Sequence, residues 1–264
     1  MTEEKRAELK LSLDPEKFPE TIEYLESIKD VNYLSSYNIA SHIVRCDITS
    51  AMTPELFNFV AELYEAAIES GDKYAMNDLG ALYYDGRGYN QDFTKAVYYF
   101  KMAADNGNKL ALENLGYCYY YGRSVPVDYE KAFNYFAIGA FEGEIISLYK
   151  IGDMYRNGYY VEKNLNEAFI IYSRCLDMIK QTSKYYNAGQ VYLRLGNAYF
   201  YGEGTNKDFK KALKCFQRAE IYLYNIIEDG ELMYRKSLQA AIDGQAKARA
   251  EIFENLPART WPNE

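Results

Sequence analysis

The sequence predicts an all-α solenoid of helix–turn–helix repeats closed by helical caps. Three observations predict it. A glycine recurs at Gly80, Gly116, Gly152 and Gly196, with spacings of 36, 36 and 44 residues. An alanine recurs at Ala96, Ala132, Ala168 and Ala212 with the same three spacings. Each copy holds two stretches of helical apolar period joined by a glycine-bearing break. Two independent columns that drift together define one repeat. The eight extra residues of the last spacing fall around LDMIKQTSKYYNAG (176–189), as a lengthened turn or helix end.

Taken in order, residues 1–52 read as an N-terminal helical cap. Phe18, Ile22, Leu25 and Ile28 mark one helix, and Leu34, Tyr37, Ile43 and Val44 mark another. The repeat region spans 53–220. It opens with a half repeat, 53–71, in which AELYEAAIESGD (61–72) matches a second helix and Thr53 and Pro54 supply its cap and first turn. Four repeats follow, starting near 72, 108, 144 and 188. In the first, Leu79, Gly80 and Tyr83 share a face of helix one, and Ala96, Phe100 and Ala103 share a face of helix two. A glycine inside a helix costs about 1 kcal/mol against alanine, so Gly80 and its equivalents point to close helix approach. Gly86, Gly122, Gly158 and Gly202 end the first helix in a left-handed position. Asp92, Asp128, Asn164 and Asp208 open the second helix, where a short acceptor caps free N–H groups. This acidic column is therefore a row of caps and not of catalytic acids. Residues 221–264 read as a C-terminal helical cap and tail. ELMYRKSLQAAIDGQAKARAEIF (231–253) forms a long helix with Gly244 as a break point, followed by the tail PARTWPNE. A stack of repeats has two apolar ends, which such caps must cover.

The pattern L-G-x-x-Y-x-x-G-x-G-x-x-x-D-x-x-K-A-x-x-Y-F-x-x-A-A-x-x-G resembles the Sel-one-like repeat (SLR) family, a branch of the tetratricopeptide-like helical solenoids. The first unit matches it at Leu79, Gly80, Tyr83, Gly86, Gly88, Asp92, Lys95, Ala96, Tyr99, Phe100, Ala103, Ala104 and Gly107. The third departs most, with Tyr160 at the second loop glycine, Asn164 for Asp and Glu167 for Lys, which bears on its loop geometry. The resemblance covers residues 72–220. It implies a right-handed superhelical solenoid with scaffold and adaptor roles in complex assembly and signalling.

In related solenoids the first helices line the concave surface, at −2, +2, +5 and +6 from the repeat leucine. Here those columns hold Asn77, Ala81, Tyr84 and Asp85; Glu113, Tyr117, Tyr120 and Tyr121; Tyr149, Asp153, Arg156 and Asn157; and Leu193, Asn197, Phe200 and Tyr201. They are rich in aromatics and amides and contain no lysine. Tyrosine offers contact area at low rotamer entropy, asparagine pairs with peptide backbone, and arginine pairs with carboxylates. Asn77, Tyr84, Tyr117, Tyr120, Tyr121, Tyr149, Asp153, Arg156, Asn197 and Phe200 are therefore the expected protein- or peptide-binding residues. The consensus rings Tyr83, Tyr119, Tyr155 and Tyr199, with Phe100, Phe136, Tyr172 and Phe216 on the second helix, are expected to pack.

Composition narrows the function. Apolar residues make up 48%, enough for a core. The net charge of −8 argues against a nucleic-acid partner. No apolar run reaches the ~18 residues of a membrane span, and MTEEKRAELKLSLDPEKF has no signal-peptide core. Cys46, Cys118, Cys175 and Cys215 form no Cys-x-x-Cys pair, and they lack the cysteine pair per repeat that the family's secreted branch carries. Reduced, mostly buried thiols and a cytoplasmic location are the expectation. His42 is the single histidine and is expected to be structural. No Gly-x-Ser-x-Gly, P-loop or His-Glu-x-x-His motif occurs, so no metal, cofactor or catalysis is expected. The reading is a non-catalytic adaptor or scaffold for a protein or peptide. The alternatives are an effector acting on a foreign protein, and an enzyme with a carboxylate site in the groove. The residues specify neither the partner nor the oligomeric state.

Overall fold

The computed structural model describes residues 3–28, 36–46, 52–86, 91–182, 185–228, 230 and 232–254. Among these residues there are thirteen α-helices and no strand. They are α1 (Glu3–Ser12), α2 (Pro19–Ser27), α3 (Ser36–Arg45), α4 (Pro54–Glu69), α5 (Lys73–Asp85), α6 (Phe93–Asp105), α7 (Lys109–Tyr121), α8 (Tyr129–Phe141), α9 (Ile145–Asn157), α10 (Leu165–Thr182), α11 (Ala188–Tyr201), α12 (Phe209–Glu228) and α13 (Arg235–Glu254). Short 3-10 turns at Tyr185–Asn187 and Leu232–Tyr234 lead into α11 and α13. The repeats are the pairs α5–α6, α7–α8, α9–α10 and α11–α12. The chain forms two compact units, residues 1–135 and 136–264.

The turn inside each repeat is built by the residues that the repeat pattern marks. Gly86, Gly122, Gly158 and Gly202 have φ of 64°, 69°, 73° and 74°, and each donates its N–H to the carbonyl four residues back. The N–H groups of Asp92, Asp128, Asn164 and Asp208 then donate to the carbonyls of Tyr83, Tyr119, Tyr155 and Tyr199 at 3.0, 3.0, 2.9 and 2.9 Å. The four cap side chains accept from the N–H groups of Lys95, Lys131, Glu167 and Lys211 at 3.0, 2.9, 3.0 and 2.9 Å. The third repeat keeps this geometry. Tyr160, in place of the second loop glycine, takes φ 65°, beside φ 57° at Ser124 and 69° at Gly204. Gly88 lies outside the described residues.

The helical glycines do what their position suggests. A Cβ on Gly80, Gly152 or Gly196 would lie 2.7, 2.6 or 2.6 Å from the ring of Phe100, Tyr172 or Phe216. Each ring therefore lies flush on its partner helix.

In unit 1, Thr53 Oγ1 accepts the Leu56 N–H at 3.2 Å and Pro54 begins α4, whose Leu56, Phe57, Val60 and Tyr64 enter the core. Leu25 and Ile28, with Ile39 and Ile43 of α3, join the same core. Leu34 lies outside the described residues. One element was not foreseen. α1 offers too few apolar positions to show a period, yet its Leu9 and the Leu13 that follows it are buried against this core while Leu11 is exposed.

In unit 2, the extra residues before the fourth repeat lengthen α10 to 18 residues against 13 in α6. One expectation fails here. Gly244 does not break the C-terminal helix, because α13 runs through it. Its missing side chain instead admits the Phe216 ring, 2.8 Å from where a Cβ would sit.

Candidate functional site

The residue before each repeat leucine is polar: Asp78, Asn114, Lys150 and Arg194. On helices otherwise packed by apolar side chains, these groups must find partners. Asn114 and Arg194 do so by joining successive first helices, and Asp78 and Lys150 by entering the same hydrogen-bonded rows. In unit 1, Tyr37 Oη of α3 donates to Asp78 Oδ2 at 3.1 Å, and Asn77 Nδ2 donates to Asp78 Oδ1 at 3.1 Å. Asn114 Nδ2 of α7 closes the row by donating to Asn77 Oδ1 at 3.0 Å. Burial pushes the Asp78 carboxyl above its ordinary value, although the hydrogen bonds from Asn77 and Tyr37 favour its charge.

Unit 2 repeats this arrangement with charges. Arg194 Nε and Nη2 of α11 donate to Asp153 Oδ1 and Oδ2 of α9, both at 2.6 Å. Tyr172 Oη donates to Asp153 Oδ1 at 2.8 Å, and the buried Lys150 Nζ lies 3.9 Å from Oδ2. Arg194 Nη1 donates to the Gln190 carbonyl and to its Oε1, both at 3.0 Å. Gln190 Nε2 donates in turn to Ser237 Oγ of α13 at 2.8 Å. Burial opposes the charge on Asp153, but Arg194, Lys150 and Tyr172 outweigh it and hold the carboxyl below its ordinary value. Burial and the adjacent carboxylate raise the Tyr172 hydroxyl well above its ordinary value. Both units thus carry a polar spine along their first helices.

The spine corrects the expected exposed face. Asn77 is 5% exposed and Tyr149 is 3% exposed, so neither presents a surface. The Arg194 guanidinium covers the Tyr149 ring at 4.2 Å. Asp153 and Arg156 are engaged within the chain, the first by Arg194. The second donates from Nε and Nη2 to Glu203 Oε2 and Oε1 at 2.7 and 2.9 Å. Helical phase puts these residues on one side of the first helices, but side chains of the following repeat (Asn114 over Asn77, Arg194 over Tyr149 and Asp153, Glu203 over Arg156) engage them there.

The +5 column has a second task. Tyr84, Tyr120 and Phe200 are half-buried, and each meets edge-on the ring that opens its own second helix. Tyr84–Phe93, Tyr120–Tyr129 and Phe200–Phe209 have centroids 5.2, 5.7 and 5.4 Å apart at 66°, 69° and 64°. Such rings clasp the repeat. In the third repeat Arg156 replaces the clasp with its ion pair to Glu203. Tyr117 and Tyr121 stack at 6.0 Å and 7°, and Tyr121 is 49% exposed. The consensus rings Tyr83 and Tyr119 are buried as expected, whereas Tyr155 and Tyr199 are half-buried. Cys46, Cys118 and Cys175 are buried free thiols, and Cys215 is half-buried. His42 lies against the Tyr24 ring at 3.8 Å.

In unit 2 the first helices enclose a cleft of about 270 Å³ beside the spine. Asp153, Arg156 and Asn157 of α9 face Gln190, Arg194 and Asn197 of α11 across it. Its one carboxylate, Asp153, is occupied by Arg194. The side-chain amides of Asn157 and Asn197 make no hydrogen bond with any other described residue. Gln190 and Arg194 were missed by sequence reasoning. The available signal was a polar pair at i and i+4 immediately before a repeat leucine. Among the described residues no group of His, Cys, Asp or Glu is placed to hold a metal ion, and no helix is long and apolar enough to cross a membrane.

Comparison with known proteins agrees with this architecture. The Sel1 repeat model matches residues 73–108, 109–140, 145–174 and 190–220. A Sel1 repeat protein from Oxalobacter formigenes is similar in structure, with TM-score 0.52 and 23% identity over 69% of this chain and 68% of that one. A protective antigen present in uropathogenic Escherichia coli strains, displaying an SLR fold, is similar with TM-score 0.52 and 19% identity over 95% of this chain. This chain spans 56% of that protein's length. No curated protein matches the sequence. Sel1-repeat proteins are generally protein-interaction scaffolds. The chain belongs to the Sel1-repeat family and has its all-α helical-repeat solenoid fold.

Proposed function

We propose that this protein is a non-catalytic cytoplasmic adaptor that binds a protein or peptide segment on the face formed by its first helices. The observation that carries the reading is the amide pair Asn157 and Asn197 on opposite walls of one cleft, without a described partner. An amide offers a donor and an acceptor together, which matches an extended peptide backbone. The walls are held by the Arg194–Asp153 and Arg156–Glu203 pairs, so little order has to be gained on binding. In unit 1 the stacked Tyr117 and Tyr121 rings offer a flat aromatic contact. Asn77, Tyr149 and Asp153 support this face from beneath. Tyr84, Tyr120 and Phe200 hold its helices in place. The four free cysteines fit a reducing compartment.

Affinity capture from cytoplasmic extract, quantified by mass spectrometry, tests this with the full chain and an Asn157→Ala/Asn197→Ala variant. A protein enriched by the wild type should bind it directly when purified, and the double variant should lose roughly tenfold in affinity, as for interface hot spots. Equal binding by both would remove the cleft from the interface.

A further inference from the structure

Residues 190, 193, 194 and 197 of α11 line the cleft described above. Residues 192, 195 and 199 point to the opposite side of the helix at 3.6 residues per turn. There they form one wall of a separate cleft of about 620 Å³, with α10 and α12 as the other walls. Its charge is opposite to that of the chain. Lys211, Lys214 and Arg218 line it against a single carboxylate, Asp177, in a protein of net charge −8. Asp177 is already paired with Lys180 at 3.3 Å. Lys214 and Arg218 make no ion pair with any described residue.

The cations are also positioned. Arg218 Nη1 donates to Tyr192 Oη at 2.7 Å, and its guanidinium lies 5.4 Å from the Tyr192 ring. Tyr192 stacks on Tyr222 at 5.8 Å and 4°, and Tyr222 stacks on Tyr185 at 5.9 Å and 2°. Lys211 lies 5.4 Å over the Tyr199 ring and 3.4 Å from Asp208. The half-buried Leu176 and the exposed Ile221 supply apolar lining, over the buried Leu195. The arrangement is particular to the fourth repeat. The columns of Lys214 and Arg218 hold Tyr98 and Met102, Asn134 and Ile138, and Ile170 and Arg174 in the other three.

We infer that this cleft docks an acidic peptide segment bearing one large apolar side chain. Carboxylates of the segment pair with Lys214 and Arg218, beside Lys211, which Asp208 already engages, and the apolar side chain lies on Leu176, Ile221 and the half-buried Tyr199 ring. From Lys211 to Ile221, α12 rises about 15 Å, the length of roughly four to five extended residues. The volume is that of a ligand-sized site. The net charge of the whole chain disfavours a nucleic acid here. This inference is independent of the Asn157–Asn197 cleft.

The test probes the full chain against an array of seven-residue peptides with one Leu, Phe or Trp flanked by Asp/Glu, by Lys/Arg or by Ser/Gly. Hits are titrated by fluorescence anisotropy. Acidic peptides should bind preferentially, binding should weaken with salt, and Lys214→Glu/Arg218→Glu should weaken it at least tenfold. Asn157→Ala/Asn197→Ala should change it less than twofold. Should the charge reversal lower the melting temperature, Lys214→Ala and Arg218→Gln made separately replace it, each with an expected loss of about threefold. Absence of acidic preference, or acidic binding retained by variants that melt like the wild type, overturns the inference. Tighter binding of oligouridine than of acidic peptide through the same residues overturns it too. So does a wild-type dimer, seen by sedimentation, that the charge reversal abolishes.

Discussion

Asp78 and Asp153 are both carboxylates on first helices, and the balance of burial against partners gives them opposite pH behaviour. Asp153 is held below its ordinary value by Arg194 and its other donors. Its contribution is present above the unfolded value near 3.8 and is lost as pH falls through the folded value. Asp78 is held above its ordinary value, chiefly by burial. Its ionisation therefore subtracts stability as pH rises from the unfolded value through the folded one. Asp78→Asn should raise the melting temperature at neutral pH and lose that advantage near pH 3. Asp153→Asn should leave Arg194 unpaired in a buried site and cost on the order of 3 kcal/mol at neutral pH, with the difference shrinking in acid. Melting curves from pH 3 to 8 check both signs. Gly204 is a third decisive residue. It has φ 69°, and a Cβ there would lie 2.0 Å from the Leu165 carbonyl oxygen. Gly204→Ala should destabilise by at least 2 kcal/mol in urea unfolding, from steric overlap and left-handed backbone strain together.

At the scale of the helix pair, rings and glycines do most of the joining. The buried Tyr119 stacks on Tyr135 at 5.7 Å and lies under Lys131 at 5.3 Å. Lys95 and Lys211 cover Tyr83 and Tyr199 in the same way, at 4.7 and 5.4 Å. The recurring lysine before the marker alanine, present in three of the four repeats, thus covers the consensus ring of its own repeat. Tyr119→Ala should cost about 3 kcal/mol as a large-to-small core change. Tyr120→Ala should cost about 1 kcal/mol through loss of the Tyr129 contact, an effect on stability where helical phase alone suggests one on binding only. Gly196→Ala should cost roughly 1–3 kcal/mol by pressing a methyl into the Phe216 ring. Chemical denaturation of the three variants ranks them, and an unaltered midpoint for Gly196→Ala would remove close packing as that glycine's role.

At the scale of the molecule, each unit is closed at its spine by a helix outside the four repeats. α3 supplies Tyr37 to Asp78, and α13 supplies Ser237 to Gln190. α13 also covers Phe216 through Gly244, with Ala248 in the same cluster. Repeat arrays need such covers because each unit buries its apolar face only against a neighbour. Deleting residues 229–264 should therefore lower the melting temperature and raise binding of a hydrophobic dye. A shortened chain that melts unchanged and binds no dye would make α13 an appendage.

The elements legible from the chain alone are those set by local chemistry. A left-handed glycine, a capping aspartate and a 3.6-residue apolar period act within a few residues, so Gly122, Asp128 and the Leu115–Tyr119 face could be read directly. The candidate site was legible only as a side of the first helices. Which of its residues remain open depended on Arg194 reaching Asp153, 41 positions away, and on Asn114 reaching Asn77, 37 positions away. Helical phase states where a side chain points. Whether a neighbouring helix carries a side chain long enough to cover it is a property of packing between repeats, and that packing buried Tyr149 and Asn77, paired Arg156, and left Asn157 and Asn197 facing one cleft.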